Sequence, residues 1–384
     1  MYLCYENAVK ALQSMPLRPT AAEWHSARRS AMLKAHPEVV KLVGDDPLTP
    51  LCMVAIVAAH VCVALSLESW GRAWGMGGGA AGFGLAFVAA AAFGGFCAFG
   101  FQALDHELSH TTSWPRGALV LGLVGSACTA VPWFSYYFSG GHARHHRLAG
   151  SPRDIDREAF FWAWERTPPA LDNPLGSVVW ASAVGIGLPV MYVASLSVCL
   201  LGNWRANVKE LGFFAADSLA TLLLHGAVAY GGGWRAATYL VLSMAFGNGF
   251  LMHPLIGFWL MQHLCHAQPV APPPGEDGDE DEGRVTLQPT VSYAGSWVWN
   301  LLNFNQLSHT EHHDWSRISW SKAGALRALA PEAYGQSGLF AVTSVRALMW
   351  HWVFTKGDKM NFACIGAALP PLPVGKGSEK AKRE

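Results

Sequence analysis

Charge is what this sequence has least of. Only 14% of its 384 residues are Asp, Glu, Lys or Arg, where a soluble domain carries about a quarter. With 51% hydrophobic residues, 17 Trp and a mean hydropathy of +0.21, that deficit points to lipid as the solvent. Acidic and basic residues balance at a net charge of zero, so there is no electrostatic footprint for nucleic acid. No C-x-x-C pair occurs among the eight cysteines (Cys4, Cys52, Cys62, Cys97, Cys128, Cys199, Cys265 and Cys364). Most lie in apolar runs and read as small buried hydrophobes, not as a disulfide framework. The amino terminus lacks the basic-then-apolar pattern of a signal peptide, and Tyr2 excludes N-myristoylation. Insertion is expected to rely on internal apolar segments.

Against this background eight histidines fall in three tight clusters: His106-Glu-Leu-Ser-His110, His142-Ala-Arg-His145-His146 and His309-Thr-Glu-His312-His313. Residues three and four apart on a helix share one face, about 5–6 Å apart at Cβ, so each cluster can aim two or three imidazoles at one point. Imidazole is the commonest protein metal ligand, and eight exceed the four a structural zinc requires. Two metals are the natural count. Nitrogen-rich ligation suits Fe, Zn, Cu or Ni over Mg or Ca. Glu107, Glu311 and Asp314, inside or beside the clusters, are candidate acceptors for imidazole N–H groups; ordinary polar filler is the alternative for each. Cys265, in His263-Leu-Cys-His266, reads as a packed thiol before it reads as a ligand.

The expected architecture is an all-α integral membrane protein. Residues 20 to 47 read as a polar amphipathic helix ending in the turn Gly44-Asp45-Asp46-Pro47, and apolar runs follow at 51–67, 80–101, 117–134, 178–201, 211–230 and 236–258. A crossing helix needs about 20 residues, 17 as a working minimum. One metal centre requires all three clusters on the same side, so an even number of crossings must separate them. The single run 117–134 therefore should not cross, and of the next three one must also fail; 178–201 is the choice, because Pro189 interrupts it and Gly176, Gly185 and Gly187 weaken it. Four spans in two hairpins remain, with tips at Trp70–Gly75 and Gly231–Arg235, beneath a cytosolic helical cap carrying the histidines. Lys and Arg concentrate on the cluster side, which the positive-inside rule makes cytosolic, with both termini. The segment 271–283, rich in Pro, Gly, Asp and Glu, is expected to be a disordered loop. The domains read as an N-terminal segment 1–50, a membrane domain 51–355 and a tail 356–384.

These residues resemble the membrane fatty acid desaturase and hydroxylase superfamily, whose three histidine boxes have this order and spacing. The similarity narrows to the sphingolipid Δ4-desaturase branch through the N-terminal Arg28-Arg29-Ser-Ala-Met-Leu-Lys-Ala-His-Pro-Glu-Val-Val-Lys-Leu ending in Asp46-Pro47, through His145-His146-Arg147-Leu148-Ala149-Gly150 with Asp154-Ile155-Asp156, through His253-Pro254, and through Glu311-His312-His313-Asp314. It implies a di-iron, O2-dependent dihydroceramide desaturase in which all eight box histidines are catalytic metal ligands. Hydrogen would leave carbon 4 and then carbon 5 of the sphinganine chain, with electrons from cytochrome b5 and its NADH reductase. No haem-binding His-Pro-Gly-Gly motif is present, since His36-Pro37 continues as Glu38-Val39, so the donor would be a separate protein. The resemblance also implies a further ligand between boxes two and three, for which His263 is the candidate; His253 and His266 fit helix packing or the interface better. Phe258, Thr310, Trp315 and the acidic loop depart from the branch pattern and bear on substrate preference. The tail Lys380-Ala-Lys382-Arg-Glu384 resembles a K-x-K-x-x retrieval signal and suggests the endoplasmic reticulum.

Two alternatives stay open. The same dimetal centre could hydroxylate carbon 4, alone or as a second activity, or desaturate another acyl lipid. A histidine-rich metal transporter or zinc membrane hydrolase belongs to a different class; a transporter should hold its ligands near the membrane midplane, whereas these clusters lie beyond the span ends. An expressed sample could carry zinc in place of iron.

Overall fold

In a computed structural model the described residues are 21–76, 78–148, 167–202, 207–261, 266–269, 285–334, 339 and 341–356. Among them, three helices are long and apolar enough to cross a membrane: α2 (Leu48–Ala73), α3 (Gly79–Ser109) and α8 (Val208–Gly247). At 1.5 Å per residue the 26-residue α2 is about 39 Å long, more than the roughly 30 Å hydrocarbon core. Leu51, Val54, Val88, Leu222 and Leu223 on these helices are exposed, as lipid-facing side chains must be.

Small residues let the helices approach. A π-helical turn, Ala90–Gly94, interrupts α3, and a Cβ at Gly94 would fall 1.9 Å from Ser243 Oγ. Inside α8, Gly233 takes the non-helical pair φ 69°, ψ −165°, within the expected tip Gly231–Arg235. Before this break Gly232 lies against Ala64 and Leu65; after it Tyr239 OH meets His60 Nδ1 at 2.9 Å. Arg235, fully buried, pairs with Glu68, donates from Nη2 to the Met76 carbonyl at 2.9 Å and lies 5.1 Å from the Trp234 ring centre. This clamp joins the α2–α3 connection to α8.

The run 117–134 forms two short pieces. The 13 residues of α4 (Pro115–Ala127) are too few for a crossing; Ala130 at φ 55° and Pro132 then redirect the chain into α5 (Trp133–Ser139). The expected interruption at Pro189 does not occur, because α7 runs continuously over Pro174–Gly202. A proline in an apolar helix is tolerated where neighbouring elements satisfy the freed carbonyl. The all-α expectation also needs a correction: His266–Pro269 pairs antiparallel with Val285–Gln288, and Ser292–Tyr293 pairs parallel with Ala341–Val342. These short ladders pair backbone N–H and C=O groups in segments where no helix does so.

The N-terminal segment forms α1 (Ala21–Ala35) and a 3-10 turn, Pro37–Leu42. Met32 and Val39 pack into a separate apolar cluster with Trp315, Ile318, Leu326 and Ala330. Gly44 N donates to Arg317 O at 2.9 Å, and Lys322 Nζ to Leu42 O at 3.2 Å. A larger core joins Phe99 of α3 and Trp133 and Tyr137 of the segment after α4 to Phe258, Leu307 and Trp352 from the C-terminal third. The acidic loop 271–283 and the tail 357–384 lie outside the described residues.

Arg235→Ala is expected to cost on the order of 1–2 kcal/mol of stability, less than the loss of a fully buried pair because the Glu68 carboxylate is 32% exposed and keeps part of its hydration. Thermal unfolding in detergent measures it, and an unchanged transition refutes the clamp.

Candidate metal centre

Each histidine box sits where a helix ends or begins. Box one closes α3, with His106 in its last turn and His110 just beyond. Box two occupies α6 (Gly141–Leu148), entered through Gly140 at φ 108°, a backbone conformation that a side chain would strain. After the short helices α9 (Ile256–Met261) and α10 (Trp297–Leu302), box three is α11 (His309–Asp314). Three chain regions thus deliver imidazoles to one place.

The eight separate into two groups. His106, His110, His142, His146 and His312 form one, and His145, His309 and His313 the other; within each, one ligand atom per residue lies within 4.8 Å of the rest. The first contains a run of facing nitrogens: His110 Nε2 to His142 Nε2 3.1 Å, His142 Nε2 to His146 Nε2 2.9 Å, and His146 Nε2 to His312 Nε2 3.1 Å. A neutral ring nitrogen offers one N–H or one lone pair, so the Nε2 atoms of His142 and His146, each facing two others, cannot be satisfied by hydrogen bonding alone. Nitrogens about 2.1 Å from a shared ion and 90–110° apart lie about 3.0–3.4 Å from one another. The donor set and its spacing therefore fit a metal ion.

Burial keeps these imidazoles neutral, as ligation requires. It holds His110 down at about 4, and it holds His142, His146, His312 and His313 well below the ordinary range, with neighbouring imidazoles adding to the effect. Tyr137 packs against His106 and His142, with ring centres 5.6 and 5.2 Å apart, and walls one side with apolar surface.

The three acidic residues stitch the boxes to their surroundings. Glu107 accepts from Gln306 Nε2 and Trp320 N, both at 3.1 Å; its oxygen lies 3.9 Å from His106 Nδ1, beyond hydrogen-bonding distance. Glu311 accepts from the Ser292 hydroxyl at 2.5 Å and pairs with Arg327. Burial pushes the Glu311 carboxyl up, but Arg327 and Ser292 outweigh it and leave the group below its ordinary value. Asp314 accepts from His25 Nδ1 at 2.7 Å, Arg28 Nε at 3.0 Å and Tyr334 OH at 3.0 Å.

Of the other candidates, His253 is engaged in packing: its Nε2 donates to Ala91 O at 3.0 Å, and its ring sits against Phe96 and Phe246. His263 and Cys265 lie outside the described residues, as does the side chain of His266. Sequence reasoning missed His25, Gln306, Arg327 and Tyr334. None lies in a box; the one available signal was that His25 precedes Arg28-Arg29 by one helical turn.

The sequence model described as fatty acid desaturase matches residues 80–344. The chain belongs to the fatty acid desaturase family. A second model, described as sphingolipid Δ4-desaturase, matches residues 20–48 of this desaturase, the segment that forms α1 and the turn after it. The chain is 27% identical to a sphingolipid delta(4)-desaturase of Schizosaccharomyces pombe, over 81% of this chain and 77% of that protein. It is 28% identical to a rice protein named sphingolipid delta(4)-desaturase DES1-like, over 81% of each. It is 24% identical to a bovine sphingolipid delta(4)-desaturase/C4-monooxygenase, over 86% of this chain and 88% of that one. Membership makes this desaturase an oxidoreductase of a generally metal-dependent family, in keeping with its two imidazole groups.

A pH dependence follows. Unfolded imidazole titrates near 6.5, whereas folded His110 does so at about 4, and burial holds His142, His146 and His312 well below the ordinary range too. The folded state excludes protons that the unfolded chain takes up. Stability is therefore complete above about pH 6.5 and is lost as pH falls toward 4. The melting temperature of metal-stripped protein should drop by roughly 5 °C or more between pH 7 and 5; an invariant value over that window contradicts burial of neutral imidazoles.

Proposed function

We propose that this protein is a sphingolipid Δ4-desaturase that introduces the double bond between carbons 4 and 5 of the sphinganine chain of dihydroceramide. The carrying observation is the convergence of eight imidazoles, five buried and three half-buried, into two metal-sized groups beside the end of the apolar helix α3, and the matched N-terminal segment selects the sphingolipid branch. An unactivated methylene has no acidic proton, so side-chain acid–base chemistry cannot break its C–H bond; a pair of irons with O2 supplies the oxidising power. The chain's own residues do the rest. Eight box histidines, with His263 as a candidate ninth, hold the two ions, Glu107, Glu311 and Asp314 hold the boxes in place, and Tyr137 helps to exclude water. Electrons come from cytochrome b5, the donor that the family resemblance implies.

In this reading α2, α3 and the two arms of α8 on either side of Gly233 make four crossings. The contacts support the reversal: Gly232 is level with Ala64 and Leu65, Arg235 with Glu68, and Tyr239 again with His60. With α4 too short to cross, and the continuous α7 taken as not crossing because one metal centre needs an even number of crossings between boxes two and three, the boxes and both termini share the cytosolic face of the endoplasmic reticulum. The units are the N-terminal segment 1–50, the desaturase domain 51–355 and the tail 356–384.

Hydroxylation at carbon 4 is the second reading, favoured by the C4-monooxygenase activity in the bovine relative's name; both outcomes begin with the same hydrogen abstraction. Membranes containing the protein, given labelled dihydroceramide, O2 and reduced cytochrome b5, should yield ceramide. Phytoceramide would select the hydroxylase, and neither product would sink both readings. His145→Ala and His312→Ala, one from each group, should each lower turnover by more than about 100-fold, since even outer partners of a metal site cost 10–100-fold. Membrane insertion should be retained in both, and preserved activity in either would remove that residue from the ligand set.

A further inference from the structure

The geometry points to His25, on the N-terminal helix α1, as a positioning residue that locks the end of box three and so secures the metal group made by His145, His309 and His313. This rests on the reading that the histidine groups bind metal. The argument starts from α11, whose six residues are far too few for a stable helix by themselves. That helix nevertheless has to present His312 to one group and His309 and His313 to the other. Its last residue, Asp314, is fully buried, and a carboxylate at a helix C-terminus opposes the helix dipole. It stays there because donors surround it: His25 Nδ1, Arg28 Nε and Tyr334 OH on the side chain, with Arg29 Nη1 on its backbone carbonyl at 3.3 Å.

Among these donors His25 alone also touches a box imidazole. Its ring centre lies 5.2 Å from that of His313 at an interplanar angle of 32°. The acceptor-only carboxylate fixes the proton on Nδ1, and Nε2 then faces the Thr290 hydroxyl at 3.3 Å. Thr290 is in turn bonded to Thr310 of the same short helix, whose hydroxyl donates to Thr290 O at 3.0 Å. With both nitrogens engaged, His25 supports a neighbouring ligand without serving as one. Arg28 extends the lock, because its Nη2 donates to Ala333 O at 2.9 Å. The segment shared with sphingolipid desaturases thus forms part of the wall of the metal centre.

The test uses full-length protein purified in detergent and loaded with zinc as the probe metal, comparing His25→Phe and His25→Asn. Phenylalanine keeps the ring against His313 but removes the donor; asparagine places an amide N–H where Nδ1 stood. Wild type and His25→Asn should each bind two zinc ions per chain, and His25→Phe about one. In chelator-stripped protein, amide exchange across residues 309–314 should be at least about tenfold faster in His25→Phe than in wild type, with His25→Asn close to wild type. Two zinc ions and wild-type exchange in His25→Phe would overturn the assignment. So would loss of metal in both variants, which would make the imidazole a ligand, or loss of both ions from His25→Phe with a collapsed melting transition, which would make the role one of general folding. If wild type binds no zinc while exchange in 309–314 still accelerates in His25→Phe, the metal reading fails and the positioning role stands.

Discussion

Eight imidazoles gathered into two adjoining groups, five of them buried and three half-buried, impose the constraint on which the rest of this structure depends. A buried, unpartnered ring nitrogen is costly, and nitrogens facing each other at about 3 Å, as in the run from His110 to His312, cannot all be satisfied by protons. Such an arrangement is stable only if something holds the rings in place until a cation supplies the missing partner. The surrounding framework meets that demand with bonds between distant segments, not with a single rigid element.

Those bonds have a common pattern. The acidic residue in or beside a box reaches away from the metal and fastens its helix to another part of the chain: Glu107 to the segment around Gln306 and Trp320, Glu311 to Ser292 and Arg327, Asp314 to α1 and Tyr334. Boxes one and three are thereby tied to each other and to the N-terminal segment, and box two is left to meet them from α6. The membrane helices add the second half of the support. Close approach at Gly94 and Gly247, and the Arg235 clamp, fix the ends of α3 and α8 relative to each other and so set where box one emerges.

Catalytic chemistry and membrane chemistry meet at this boundary. Tyr137 packs its ring against His106 and His142, so one wall of the histidine cluster is aromatic. The proposed oxidation of an unactivated C–H bond would need both: an apolar approach for the substrate and an ion held by neutral ligands.

The sequence by itself determined the solvent, the helices and the identity of the boxes, because each rests on local information: the scarcity of charge, the length of apolar runs and the spacing of histidines along one helical face. The backbone break within Gly231–Arg235 was legible for the same reason, since glycines there permit the non-helical angles that Gly233 adopts. Continuity of α7 through Pro189 was not, because neighbouring elements decide whether a proline breaks an apolar helix. Only the tertiary structure decided which imidazoles gather into which group. His145 and His146 are adjacent, as are His312 and His313, yet each pair divides between the two groups. Consecutive residues on a helix point about 100° apart, so they aim at different centres, and which centre depends on where three separate segments meet. His25 was invisible for a related reason: it lies 289 positions from Asp314, and only the folded chain brings that pair together.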